Sequence, residues 1–176
     1  MSHLRFSIKF PLSVFILLTG CGMAVASGAD SGDAAATAAI EALVGRFDQV
    51  SNTKDAKGFG ALFSEEGEFT NPVGMSFKGR SAIEHFYASL LSESNRPSFA
   101  HMHLTVLGTT IRFIRPDVAA VDVKWEQTGA IAPDGKPWGT RKGLLSWVVT
   151  RENNEWLISV WHNLELPPYY HTFCSP

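Results

Sequence analysis

Few side chains in this sequence could move a proton near neutral pH, and His162 is the best candidate among them. An imidazole titrates near neutral pH, so His162 could act as an acid or a base. Alternation along the last predicted strand groups it with the apolar Ile158 and Val160, which predicts that it points into the protein. The alternative is a buried histidine whose ring is satisfied by a hydrogen bond to the backbone or to Asn71.

Asn71 is the second candidate for a role at a site. Its amide can both donate and accept hydrogen bonds, so it could orient a carbonyl or hydroxyl group on a ligand. The alternative is an Asx turn before Pro72, in which the side-chain oxygen binds the backbone. The sequence leaves both interpretations open.

His101 and His103 could both ligate a metal, since side chains two apart on a strand point the same way. The residues that alternate with them, including Met102 and Leu104, are apolar. The histidines are therefore expected on the outer surface, and no inward carboxylate completes a ligand set. We predict no metal site.

Trp125 and Arg141 each have a structural and a functional interpretation. Trp125 shares a strand face with Val121 and Val123, which favours a place in the core over a stacking surface for a ligand. Arg141 could bind an acidic ligand, but an ion pair with Glu126 across the sheet is the favoured interpretation.

The first 26 residues are typical of an export signal. Two basic residues precede an apolar run over residues 10–18, which is shorter than the roughly 20 residues that span a bilayer. Residues 18–21 resemble a lipobox, which predicts lipidation of Cys21, and cleavage after Ala26 is the alternative. The protein is expected outside the cytoplasm, either as an outer-membrane-anchored lipoprotein facing the periplasm or as a soluble periplasmic or secreted protein. Lipidation would leave Cys174 as a free thiol.

The remaining pattern predicts one α+β domain over residues 36–166, between a flexible tether at 27–35 and a tail at 167–176. An apolar stripe from Ile40 to Val50 predicts the first helix, and Asp55 caps a second helix that continues through Phe63. Ser81 and Glu84 form a capping box for a third helix. Four antiparallel strands are predicted near 98–114, 117–129, 138–150 and 155–166.

Composition excludes several classes of protein. The 176 residues carry a net charge of -2 without a basic block, which argues against a nucleic-acid partner. Two cysteines cannot form a multi-bridge framework or a four-thiolate zinc site. Gly58 and Gly60 lack the pattern of a nucleotide fingerprint, so no cofactor is expected.

The order of helices and strands resembles the nuclear transport factor two-like superfamily, in which a bent sheet and its helices enclose a cone-shaped pocket. Residues 70–74, 78–80 and 82–87 are similar to the stretch around the general base of ketosteroid isomerases. Residues 113–118, 125–129 and 161–163 are similar to SnoaL-like proteins of the SgcJ/EcaC type. The resemblance implies a cone-shaped antiparallel sheet covered by about three N-terminal helices.

The departures from the isomerase pattern concern its three functional groups. Asn71 stands where the isomerase has its aspartate base, and an amide cannot act as a base near neutral pH. Phe47 stands in place of the donor tyrosine, and Ser146 in place of the donor aspartic acid. Ketosteroid isomerisation is therefore disfavoured.

The resemblance also implies which residues line the pocket. If Ser146 faces it, then Leu144 and Val148 share that face of the strand. The expected ligand-binding residues are Phe47, Trp125, Leu144, Ser146, Val148 and Val160.

Two hypotheses about function follow. The first is an isomerase-, hydrolase- or cyclase-type enzyme acting on a small apolar oxygenated molecule, with His162 as acid or base and Asn71 as the orienting group. The second is a non-catalytic domain that binds such a ligand or forms a homodimer through its outer sheet face.

Overall fold

A computed structural model of the chain describes residues 29–92, 96–132 and 134–166. Helices dominate the first half of the domain and four long strands fill the second, as the sequence predicted. The elements are α1 (Ala29–Thr53), α2 (Ala56–Gly60), β1 (Phe63–Thr70), β2 (Ser76–Lys78), α3 (Arg80–Leu90), α4 (Arg96–Phe99), β3 (His103–Arg115), β4 (Val118–Thr128), β5 (Arg141–Glu152) and β6 (Glu155–Glu165).

The predicted leader, with Cys21, and the predicted tail, with Cys174, lie outside the described residues. Among the helices that are described, none has the length and apolar character needed to cross a membrane.

The six strands form one curved, open sheet in the order β2-β1-β6-β5-β4-β3. Strands β3 to β6 are antiparallel neighbours, as predicted. The β5–β6 turn contains Asn153 and Asn154 with positive φ values of 49° and 67°, a conformation that asparagine tolerates better than most residues. Strand β1 pairs in parallel with β6, an arrangement that the sequence did not predict. The α+β fold class is confirmed.

Helix α1 packs its apolar stripe against the inner face of the sheet, which is the face that the helices cover. Ile40, Leu43 and Phe47 are fully buried, and the ring of Phe47 meets the edges of Trp147 and Trp161. Burial of one such side chain contributes about 2 kcal/mol. The sequence therefore specified the face of α1 that forms the core.

Several predicted boundaries are wrong for local reasons. The tether expected over 27–35 is helical from Ala29 onward, as the first part of a helix whose alanines at 34–36, 38 and 39 have high helix propensity. Asp55 does cap α2, accepting a hydrogen bond from the Gly58 amide, but the helix ends at Gly60 and Phe63 already begins β1.

The start of α3 and the segment before β3 also differ from prediction. No capping box forms at Ser81, because the N-cap is Gly79, two residues earlier, and Ser81 already lies inside the helix. Gly79 has a φ of 86°, which a glycine adopts without steric cost. The predicted strand start at 98–102 is instead the end of α4 and a turn, so β3 begins at His103.

Candidate functional site

A cavity of about 320 Å³ lies between the helices and the inner face of the sheet. Its deep wall is mainly aromatic, with Phe47 from α1, Phe59 from α2, Trp125 from β4 and Trp161 from β6. Polar side chains gather on the ends of β4, β5 and β6 and on the turn after β1; we call this polar part the mouth. Small-molecule sites in proteins typically combine such an apolar volume with a few polar groups.

The aromatic wall is held by contacts between its own rings. Phe59 stacks on Tyr87 with centroids 4.0 Å apart, and Trp147 stacks on Trp161 with centroids 4.9 Å apart. The absence of a side chain at Gly143 leaves room for the indole ring of Trp125, because a Cβ at residue 143 would lie 2.4 Å from a carbon of that ring. The cavity is therefore pre-formed by packing.

Tyr87 and Ser51 bring two hydroxyl groups into the otherwise apolar wall. Burial raises the pKa of Tyr87 to about 12, although a hydrogen bond with the Ser51 side chain acts in the opposite direction. The phenol is neutral near physiological pH. It can therefore donate or accept a hydrogen bond, but it is no base.

The mouth contains an ion pair that ties three strands together. Arg141 Nε donates to Glu165 Oε1 at 2.7 Å, and Arg141 Nη2 donates to Glu165 Oε2. Arg141 Nη1 donates to Gln127 Oε1 at 2.7 Å. The guanidinium carbon also lies 4.1 Å from the ring centroid of Trp138. Among the described residues, the two charged side chains that line the cavity are thus paired with each other.

The predicted pair between Arg141 and Glu126 is wrong. Arg141 pairs in register with Gln127, which faces the cavity, whereas Glu126 pairs with Lys142 on the outer face. The Lys142 ammonium lies 3.0 Å from a Glu126 carboxylate oxygen. Directly opposite residues of an antiparallel ladder share a face, and the prediction was one residue out of register.

Asn71 lies at the mouth, but its oxygen is committed. Oδ1 accepts hydrogen bonds from the backbone amides of Val73, at 3.1 Å, and Met75, at 2.9 Å. This is the Asx-turn interpretation of the sequence. The amide nitrogen has no partner among the described residues and remains available to a ligand.

The prediction that His162 points inward is wrong. His162 is exposed and lies on the outer face of β6, away from the cavity lining. The cause is a bulge: Val149 pairs with Ile158 and Val148 with Val160, so Ser159 is an extra residue that reverses the alternation. Trp161 and Asn163 therefore face inward in place of His162.

Four of the six predicted ligand-binding residues also lie on the outer face. Ser146 pairs with His162 and donates a hydrogen bond to Asp122 at 2.8 Å. Leu144, Val148 and Val160 share that face and do not line the cavity. The opposite face of β5 is the one that faces the core, and it carries Gly143, Leu145, Trp147 and Val149. The placement of Ser146 was one residue out, which exchanges the two faces of a strand. Phe47 and Trp125 do line the cavity.

His101 and His103 are both exposed. His103 begins β3, whereas His101 lies in the turn before it, so the two side chains do not share one strand. Within the described ranges, no three residues of the His, Cys, Asp and Glu types are placed to share a metal ion.

Three buried polar atoms in the cavity wall have no hydrogen-bond partner among the described residues. They are Nε1 of Trp125, Nε1 of Trp161 and Oδ1 of Asn163. Buried polar atoms without a partner are uncommon in folded proteins and call for an explanation.

Most of the polar groups at this site could not be predicted from the sequence. Ser51 carried a usable signal, since it lies four residues after Phe47 and therefore on the same helix face. Tyr87 lies in the predicted third helix, within the segment 82–87, but no role was predicted for its hydroxyl group. Glu165 and Gln127 carried no signal of their own, because their roles depend on the register that places them beside Arg141.

Comparison with known proteins agrees with this architecture. The SnoaL-like domain family matches residues 32–162 of the chain. No curated protein matches the sequence.

Solved structures share the fold at low sequence identity. A protein with a cystatin-like fold from Caulobacter vibrioides is 24% identical with a TM-score of 0.69, covering 78% of this chain and 94% of its own. An NTF2-like protein from Novosphingobium aromaticivorans is 18% identical with a TM-score of 0.66, covering 88% and 100%. The hexachlorocyclohexane dehydrochlorinase LinA-type3 from Novosphingobium barchaimii is 14% identical with a TM-score of 0.67, covering 78% and 91%. These similarities show the nuclear transport factor two-like fold.

Proposed function

We propose that this chain, which belongs to the SnoaL-like domain family, binds a small, largely apolar molecule with an oxygen-containing polar group. The observation that carries the proposal is the cavity of about 320 Å³, whose deep wall is aromatic and whose mouth is polar. Such a volume accepts a flat ring system, and the hydroxyls of Tyr87 and Ser51 offer it hydrogen bonds. The three buried polar atoms of the wall without partners further support a site that a ligand completes.

Binding is favoured over acid–base catalysis by the state of the titratable groups in the cavity. The described residues that line it include three such groups: Tyr87, Arg141 and Glu165. Tyr87 is held neutral by burial, and both Glu165 oxygens accept hydrogen bonds from Arg141. A general base must lie within hydrogen-bond reach of the proton that it removes, and a carboxylate held by two hydrogen bonds from Arg141 is less available for that contact.

The test uses Prodan, an uncharged naphthalene ketone whose fluorescence responds to an apolar environment, with the full chain. We expect saturable binding with a blue shift. Leu90→Trp should weaken it at least tenfold, because Leu90 lines the cavity and a larger ring would occupy the volume. Leu90→Phe is a milder variant of the same kind that guards against misfolding.

The matched control is Leu164→Trp, which places the same ring on an exposed residue of β6. It should bind Prodan like the wild type. Equal affinities in wild type, Leu90→Phe and Leu90→Trp would show that the cavity is not the binding site.

Finer assignments are part of the proposal. The motifs at 113–118, 125–129 and 161–163 support the SgcJ/EcaC type within the family. Export and lipidation at Cys21 are supported by the sequence of the leader. A homodimer would use the outer sheet face, where Leu144, Val148 and Val160 are half-buried.

A further inference from the structure

The described lining of the cavity contains one cation and one anion, Arg141 and Glu165, and each is the partner of the other. The Arg141 side chain is only 13% exposed, and that of Glu165 is 32% exposed. The pair therefore sits in a partly desolvated place, where charge matters more than on an open surface.

The hydrogen-bond inventory shows what the pair leaves for a ligand. Arg141 has five N–H groups, of which the two contacts with Glu165 and one with Gln127 use three. Gln127 also donates from Nε2 to the sulfur of Met102 at 2.7 Å, so both ends of its amide are occupied. The pair offers a ligand spare N–H donors but no uncompensated positive charge.

We infer that Glu165 is a specificity-determining residue that makes the cavity select uncharged acceptor ligands over anionic ones. This inference rests on the proposed function of the cavity. Without Glu165, the Arg141 guanidinium would present the bidentate fork that binds a carboxylate. With Glu165 in place, that fork is filled by the protein's own carboxylate.

An anionic ligand meets two obstacles in the wild-type protein. Its carboxylate would lose water without gaining an unpaired cation, and it would approach the like charge of Glu165. An amide or ketone oxygen loses less hydration and can accept from a spare Arg141 N–H. The cavity therefore distinguishes two ligands of the same shape by their charge.

The test compares 2-naphthamide with 2-naphthoate, which share a ring system and differ in charge at neutral pH. Isothermal titration calorimetry with the full chain should show the amide binding at least tenfold more tightly to the wild type. Glu165→Gln frees the guanidinium while keeping the side-chain shape, so the affinity for 2-naphthoate should rise at least tenfold. The affinity for 2-naphthamide should change less than about threefold, which corresponds to a change of roughly 0.7 kcal/mol in the binding free energy.

Glu68→Gln is the matched control, because it removes the same charge from an exposed ion pair with Lys78 outside the cavity lining. It should leave both affinities unchanged. The double variant Arg141→Gln/Glu165→Gln should bind 2-naphthoate no better than the wild type, since the cation is gone.

The outcomes separate this inference from the proposed function. Equal affinities of the wild type for the two probes, or no gain for 2-naphthoate in Glu165→Gln, would overturn the role of Glu165 and leave the cavity as a binding site. Binding of neither probe by the wild type would contradict the proposed function as well. The wild-type comparison needs no variant, so it stands even where Glu165→Gln fails to fold.

Discussion

Tyr87→Phe should change how the stability of the domain depends on alkaline pH. Tyr87 is 7% exposed, and burial raises its pKa from 10.0 to about 12. Between these values the unfolded chain releases the phenol proton while the folded protein keeps it. The contribution of the neutral phenol to the free energy of unfolding is therefore fully present below pH 10 and is lost as the pH rises towards 12.

The magnitude follows from the size of the shift. One pKa unit corresponds to about 1.36 kcal/mol, so the full displacement amounts to about 3 kcal/mol. At pH 7 the side chain at residue 87 is uncharged in both proteins, so this difference is absent there. The wild type should thus lose about 3 kcal/mol relative to Tyr87→Phe between neutral pH and the alkaline end of the range.

The assay is urea unfolding followed by tryptophan fluorescence at a series of pH values, with phenolate absorbance as an independent titration of Tyr87. Burial lowers the pKa of Lys54, which shifts stability in the opposite direction, but Lys54 is present in both proteins and cancels in their difference. Parallel stability curves for wild type and Tyr87→Phe would refute the assignment of a buried, neutral phenol.

Two further predictions concern packing and export. Gly143→Ala should destabilise the domain by about 3 kcal/mol in urea unfolding, because its Cβ would lie 2.2 Å from the Leu164 carbonyl oxygen and 2.4 Å from the Trp125 ring. Gly108→Ala is the control: a Cβ at residue 108 meets no atom within 4 Å, so this variant should lose far less stability. Similar losses for the two variants would contradict the close contact. Labelled acyl chains should be incorporated into the wild type and not into Cys21→Ser, and no labelling of the wild type would remove the lipid anchor.

The elements of the fold could be predicted where the sequence carries a periodic signal. The stripe from Ile40 to Phe47 fixes the buried face of α1, and the Asn153–Asn154 pair fixes the last hairpin turn. The parallel pairing of β1 with β6 had no such signal, because it joins segments that are distant in the chain and depends on the whole sheet.

The candidate site was harder to predict, because it depends on register. His162 was assigned to the inner face by strict alternation, and Ser146 by the resemblance to ketosteroid isomerases. A single extra residue at Ser159, or a shift of one position on β5, exchanges the two faces of a strand. Phe47 and Trp125 do line the cavity. Phe47 lies on the buried stripe of α1, and Trp125, for which the core was the favoured interpretation, lies on the buried face of β4.

The polar groups of the mouth illustrate the same limit. Arg141 was recognised as a residue that needs an anionic partner, but Glu126 and Glu165 are equally suitable by type. Only the paired registers of β4, β5 and β6 decide that Glu165 is the partner.

A crystal structure of the full chain with Prodan bound tests the central claim most directly. We predict that the naphthalene ring lies inside the cavity, against Trp125 and Trp161. Its carbonyl group should lie within hydrogen-bond distance of Tyr87, Ser51 or a spare Arg141 N–H. A probe bound on the outer sheet face beside His162, with the cavity unchanged, would contradict it.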